Sequence, residues 1–131
     1  MTPPANTILG AAQVVAFVPT KNFKPARAFY ENTLGLPLLG ADDFALLFEL
    51  NGTRIRVAKV DHFEPAPFTI LGWRVTDVKQ TVSSLAKRGA VFERFPGMEQ
   101  DESGVWTAPS GAHVAWFKDP DGNVLSVVQQ A

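Results

Sequence analysis

The chain has no cysteine. That removes disulfide bonds, thiolate nucleophiles and zinc–sulfur sites from the range of functions it can have. Histidine is scarce too: the only two are His62 and His113. Neither sign of charge dominates, with 12 Lys and Arg against 13 Asp and Glu and a net charge of −1. A chain so balanced has no global field for nucleic acid or an anionic membrane surface, and it carries no basic stripe. Neither partner is expected. No apolar run approaches the roughly 20 residues needed to span a bilayer. The first residues, Met1-Thr2-Pro3-Pro4-Ala5-Asn6, lack a basic region followed by an apolar core, so a cytoplasmic protein is the expectation.

What is present suits a globular core. The 131 residues are 46% hydrophobic, enough for one domain or for two small modules sharing a sheet system. Residues 1 to about 8 read as a mobile lead-in. Gln13 to Val18 follows as an apolar strand. A helix comes next, with Ala26, Phe29, Tyr30 and Leu34 on one stripe, Pro25 in its first turn and Gly35 just past its end. Asp43 to Leu50 reads as a strand turned by Asn51-Gly52, a strong hairpin pair, into the alternating run Thr53 to Ala58. The segment Asp61 to Pro67 is a linker broken by Pro65 and Pro67.

The same programme then recurs. Phe68 to Val75 reads as a strand, and Asp77 with Gln80 has the spacing of a capping box. Val78, Val82, Leu85 and Ala86 give that helix its buried stripe before Gly89 stops it. Val91 to Phe95, Val105 to Thr107 and Ala112 to Phe117 are strand candidates. Asp119-Pro120-Asp121-Gly122-Asn123 turns the chain into a last strand from Val124 to Val128. Matching Asn51-Gly52 with Gly122-Asn123 makes this a repeat of pattern over about sixty residues: module 1 at about 9–61, a linker at about 62–67 and module 2 at about 68–130 of a single 1–131 domain.

Two stretches give the chain a family likeness: Ala28-Phe29-Tyr30 through Leu34-Gly35-Leu36 after the first strand, and Phe117-Lys118-Asp119-Pro120-Asp121-Gly122-Asn123 before the last. Between about Ala12 and Gln129 the chain resembles the vicinal oxygen chelate superfamily of glyoxalase I, extradiol dioxygenases, fosfomycin-resistance enzymes and bleomycin-resistance proteins. The resemblance implies an α+β fold of two βαβββ modules whose curved mixed sheets enclose a cup, with helices outside. It also implies a homodimer, although family members build the cup either across a dimer or within one chain.

Metal-dependent members place one ligand in each of four strands. The corresponding positions here are Gln13, Arg56, Ile70 and Ser126, the second and fourth lying four residues beyond Gly52 and Gly122. Ile70 has no donor atom, Arg56 brings a permanent positive charge, and Gln and Ser alone are weak anchors. The resemblance therefore stops short of the metal: no metal site and no cofactor are expected. His62 falls in the linker, and His113 falls on the opposite strand face from Val114 and Trp116.

Alternation assigns to the cup Gln13, Val15, Phe17, Arg54, Arg56, Ile70, Gly72, Arg74, Val114, Trp116, Val124, Ser126 and Val128. That is an apolar, aromatic-walled lining with a few polar groups, which suits a small-molecule ligand. Gln13, Phe17, Arg54, Arg56, Ile70, Trp106, Trp116 and Ser126 are the candidate binding residues. Arg56 needs a partner, either a protein carboxylate such as Glu49 or Glu102 or an anionic ligand held by its fork. Trp106 and Trp116 suit stacking of a planar ligand and equally suit core or interface packing; Trp73 falls on the helix side. The loop Glu99 to Gly104 reads as a lid or a solvated loop, with Asp101 and Glu102 its candidate acid–base groups. Three functions stay open: metal-independent binding of a small, partly apolar molecule, anionic or neutral, for sequestration or as a metabolite, a metal-free lyase or isomerase, and a dimeric interaction module with a collapsed cup. Bleomycin itself fits poorly, since the resistance proteins hold that cationic drug in an acidic groove and this chain has Arg there.

Overall fold

The computed structural model describes residues 7–131, so most of the expected lead-in lies outside the described residues. Strand β1 (Val15–Thr20) leads to Asn22, whose side chain accepts from Lys24 N at 3.1 Å and caps helix α1 (Phe23–Arg27). The helix runs on as a π-helical turn, Ala28–Thr33, in which Leu34 N donates to Phe29 O at 2.9 Å. Gly35 ends it at φ +72°, a left-handed position that favours glycine.

Module 1 then holds three strands: β2 (Leu38–Ala41), β3 (Ala45–Leu50) and β4 (Thr53–Lys59). The strand expected from Asp43 to Leu50 is β3, and β2 is an additional strand before it, paired with β3 as a sheet edge although it follows Pro37 and contains Gly40. Asp42 makes the corner, accepting from Phe44 N at 2.8 Å and Ala45 N at 2.9 Å. At the next turn Asn51 and Gly52 take φ of 43° and 89°, the conformation this pair favours.

Module 2 repeats the order with β5 (Thr69–Arg74), α2 (Val78–Lys87), β6 (Trp106–Thr107), β7 (His113–Lys118) and β8 (Val124–Gln129). Asp77 caps α2 by accepting from Gln80 N at 3.1 Å. The Gln80 side chain bonds Ser84 rather than reaching back, so the capping box is half made. Val91 to Phe95 contributes one bridge, Phe92 to Phe117, and no strand among the described residues. The sheets run β1-β4-β3-β2 and β5-β8-β7-β6, with the first pair of each parallel and the others antiparallel. This is the α+β arrangement of two βαβββ modules. Among the described residues no helix is long and apolar enough to cross a membrane.

The helix-facing sides of the two sheets share one core. Val18, Phe48, Ile55 and Val57 of the first sheet, and Ala115, Phe117, Leu125 and Val127 of the second, bury together with Ala26, Tyr30, Val78 and Val82 of the helices. Phe29 lies 6.3 Å from Phe117, and Tyr30 6.0 Å from Phe48, so the first helical segment touches both sheets.

A polar clamp fixes the modules to each other. The buried Asp119 accepts from the Tyr30 hydroxyl at 2.6 Å and from Asn123 Nδ2 at 2.8 Å. Its other oxygen accepts from the N–H groups of Asp121 and Asn123, both at 2.9 Å. Asn123 Nδ2 also donates to Pro19 O at 2.9 Å, and Asp121 accepts from the Thr20 hydroxyl at 2.5 Å and from Lys21 N at 2.9 Å. Gly122, at φ +88°, lies under Pro65 of the linker, where a β-carbon would sit 3.2 Å from the proline ring. The turn between β7 and β8 thus holds the entry to α1, some hundred residues earlier in the chain.

Tyr30→Phe removes one donor from a buried carboxylate and is expected to lower stability by about 1–3 kcal/mol. The reading is a lower urea midpoint at unchanged slope; an unchanged midpoint contradicts the clamp. Burial, and then the Asp119 charge, raise the Tyr30 pKa above the ordinary phenol value. The folded chain keeps a proton that the unfolded chain releases, so this stabilisation is intact below about pH 10 and declines as the pH rises further. Tyr30 is the single tyrosine, so phenolate absorbance should appear only together with unfolding.

Candidate functional site

Each strand with one face in the core turns its other face outward. On β4, Ile55 and Val57 are buried while Arg54 and Arg56 point away from the core. On β1, Val18 and Thr20 are buried while Val15 and Phe17 point away, Phe17 being 66% exposed. The parallel register sets Val15 beside Arg54 and Phe17 beside Arg56. On the other side of β4, Glu49 stands opposite Arg54 and Leu47 opposite Arg56. The outer face of module 1 is therefore apolar at β1 and cationic at β4.

The two arginines differ in their partners. Arg54 Nε lies 3.3 Å from Glu49 Oε2, an exposed pair on one face. Arg56 is half-buried and makes no ion pair among the described residues. Residues 1–6 contain no carboxylate to supply one. Its charge is felt at Asp42, whose carboxyl is held below the usual range by the N–H groups of Phe44 and Ala45, with a smaller contribution from Arg56.

On module 2, Ala115, Phe117, Leu125 and Val127 point into the core, leaving Val114, Trp116, Val124, Ser126 and Val128 on the outer face. Trp116 stands opposite Ser126, and Gly72 of β5 stands beside Ser126 on the other side. Trp106 lies opposite Val114, with its ring 6.1 Å from that of Trp116. Phe95 meets Trp116 edge-on at 5.4 Å. Trp73 turns inward and stacks on Phe117 at 6.4 Å.

The structure thus brings Phe17, Arg54 and Arg56 together on one outer face, and Trp106, Trp116 and Ser126 together on the other. It separates Gln13 and Glu102 from them, while Asp101 lines a pocket shared with Trp106 and His113. Gln13 is exposed and lies two residues before β1, because pairing with β4 begins at Val15. Counting back seven residues from each helix cap, Asn22 and Asp77, reaches Val15 and Ile70, so Val15 rather than Gln13 is the counterpart of Ile70. Asp101 accepts from Ser103 N at 2.9 Å, Ser103 Oγ at 2.7 Å and Val105 N at 2.9 Å, and lies 3.8 Å from Lys79 Nζ at the start of α2. Burial raises its pKa, but those bonds and the ammonium outweigh burial and hold it below the usual carboxylate range. Glu102 is exposed in a groove along α2 with Val82 and Ala86. Both acids therefore lie with the helix, apart from Ser126.

Ile70 sits at a β-bulge, where the register slips so that Thr69 stands opposite Val124. Thr69 is the outer-face residue that alternation missed, since nothing in Thr69-Ile70-Leu71 marks the bulge. His113 is engaged with Thr107 Oγ1 at 2.9 Å, and His62 lies in the linker beside Phe63 and Glu64. The donors at the four family positions do not fit a divalent cation. Val15 and Ile70 have no donor atom, Arg56 is cationic, and Ser126 alone is a single neutral oxygen.

The comparisons agree with this architecture. Residues 11–127 match the description of the Glyoxalase/Bleomycin resistance protein/Dioxygenase superfamily. Among solved structures, a glyoxalase/bleomycin resistance protein/dioxygenase from Nocardioides superposes with a TM-score of 0.72 at 16% identity, covering 95% of this chain and 87% of its own. Lactoylglutathione lyase from Agrobacterium tumefaciens gives 0.70 at 16% identity over 98% and 96%. A superfamily member from Sphaerobacter thermophilus gives 0.68 at 24% identity over 92% and 98%. No curated protein matches the chain. The matched profile spans most of the chain, and on that ground the chain belongs to the glyoxalase/bleomycin resistance protein/dioxygenase superfamily.

Proposed function

We propose that the chain is a metal-independent member of this superfamily that binds a small, partly apolar, anionic molecule. The observation that carries the reading is Arg56: half-buried beside Phe17 and Leu47, it lacks a carboxylate within ion-pair distance among the described residues. A guanidinium in such surroundings is stabilised by an incoming carboxylate or similar anion. Each outer face would supply half of a site. Val15 and Phe17 of module 1 and Phe68 and Ile70 of module 2 leave apolar side chains exposed that a second copy would cover. A second copy whose module 2 face closes over the module 1 face would complete the cup, making the active unit a homodimer.

The reading is one of binding. Asp101 and Glu102, the acid–base candidates, lie with α2, and Asp101 is committed to its own loop. Metal independence rests on the donor chemistry of Val15, Arg56, Ile70 and Ser126.

Benzoate, which joins a ring to a carboxylate, is the probe of the reading. Arg56→Met should weaken its binding by roughly ten- to a hundredfold, the worth of a charge-assisted hydrogen bond, and leave toluene binding unchanged. Equal benzoate affinity in the two proteins contradicts the role of Arg56. Dialysis against a chelator should leave benzoate binding intact; stoichiometric bound metal whose removal abolishes binding contradicts metal independence. Sedimentation at micromolar concentration should give twice the chain mass, and a monomer there contradicts the shared cup.

A further inference from the structure

We infer that Gly72, Ser126 and Trp116 form a trough in the module 2 half of the cup that takes a flat aromatic ring bearing a hydroxyl or carbonyl group, with Ser126 Oγ as the hydrogen-bonding partner of that group. The inference rests on the reading of the cup as a ligand site and adds the class of ligand and the residue that selects it.

The three residues lie side by side on adjacent strands, β5, β8 and β7, and share the outer face. Neighbouring strands are about 4.8 Å apart, so the surface steps from no side chain to a small one to a large one within about 10 Å. Gly72 has no backbone reason to be glycine, since its φ is not in the left-handed region. Its effect is spatial: a β-carbon there would stand 3.0 Å from Ser126 Oγ and 3.7 Å from Thr69 Cγ2. Glycine keeps the approach to the hydroxyl open.

Ser126 is only 8% exposed, and its Oγ takes part in no side-chain hydrogen bond among the described residues. No fully sealed side-chain N or O atom among the described residues lacks a partner, so this unpaired one keeps a small exposure to solvent. Its neighbours along β8 on the same face are Val124 and Val128, which offer it nothing polar. A hydroxyl largely withdrawn from water, with no protein partner, gains most from a ligand atom that can bond it, and serine can donate or accept. The wall supplies the ring specificity. Trp116 is braced by Phe95 on edge and by Trp106, so its indole is held before a ligand arrives. A preset aromatic face next to a side-chain-free floor favours a flat ring over a branched aliphatic group.

The probes are phenol and toluene, which share a ring and differ by the hydroxyl, followed through the backbone amides of Gly72 and Ser126 in a nitrogen-15 correlation spectrum. The wild-type protein should bind phenol more tightly than toluene by about two- to tenfold, the range for one neutral hydrogen bond. Ser126→Ala should bring phenol down to the toluene affinity and leave toluene unchanged. Trp116→Leu should weaken both, and Gly72→Val should weaken both by filling the floor. Equal affinities in the wild type, an unchanged phenol preference in Ser126→Ala, or shifts confined to other amides each overturn the trough. If benzoate binds through Arg56 while neither phenol nor toluene moves these amides, the trough fails and the proposed function stands. If Ser126→Ala removes the phenol preference while Arg56→Met leaves benzoate unaffected, the trough stands and the anionic reading fails.

Discussion

The carboxylate of Asp119 is the group on which the arrangement of the molecule depends. A buried charge is tolerable only when its oxygens are met by donors, and Asp119 has four, two from its own turn and two from side chains. One of those donors, the Tyr30 hydroxyl, belongs to the other module. Because Tyr30 is itself buried beside Phe48 and its neighbour Phe29 packs near Phe117, satisfying the charge fixes the helical segment of module 1 against the second sheet. Asp121 and Asn123 add three further ties to Pro19, Thr20 and Lys21. The consequence reaches the functional surface: with the helix-facing sides joined in one core, the opposite faces of the two sheets look outward. On the proposed reading each of these faces supplies half of a site.

How much of this was legible in the sequence depended on the distance over which each feature acts. Local chemistry was readable. Asp77, Gly35, Gly89 and the Asn51-Gly52 turn act within a few residues, and their roles in the structure are the expected ones. Strand parity was readable wherever one face is strongly apolar, as on β4, β7 and β8, so alternation set Arg56, Trp116 and Ser126 on the face opposite the buried residues of their strands. The clamp was not. Asp-Pro-Asp-Gly-Asn reads as a hairpin turn, and nothing near it in sequence says that its carboxylates bond Tyr30 and Thr20, 89 and 101 residues away.

The misplaced features share a different cause. Strand β2 is four residues long, follows a proline and contains a glycine, so its evidence lies in the partner strand β3 rather than in itself. The bulge at Ile70 shifts parity by one without any residue that demands it. Gln13 was located by counting from the end of β1, where a strand has no sharp mark. The helix caps are sharper landmarks because each is fixed by a side-chain hydrogen bond, and they give Val15. The acid-rich loop of Asp101 and Glu102, next to a glycine, reads equally as a lid and as a solvated loop. The geometry instead shows a carboxylate used to fold its own loop, accepting from Ser103 and Val105.

The internal repeat gives the chemistry of the site a direction. Arg56 and Ser126 stand at matching positions, each four residues after a turn glycine, and in a metal-binding relative both strands would present a ligand of the same kind. Here one position carries a permanent cation and the other a neutral hydroxyl that can donate or accept. Their surroundings diverge in step: Phe17 and Leu47 flank Arg56, whereas Gly72 and Trp116 flank Ser126. On the proposed reading, a cup lined by one face of each kind would be polarised, with an anion-seeking side and an aromatic side. Such a lining would suit a small molecule with an acidic end and a flat, hydrogen-bonding end better than a symmetric ion at its centre. The divergence of the two equivalent positions is what that proposal rests on.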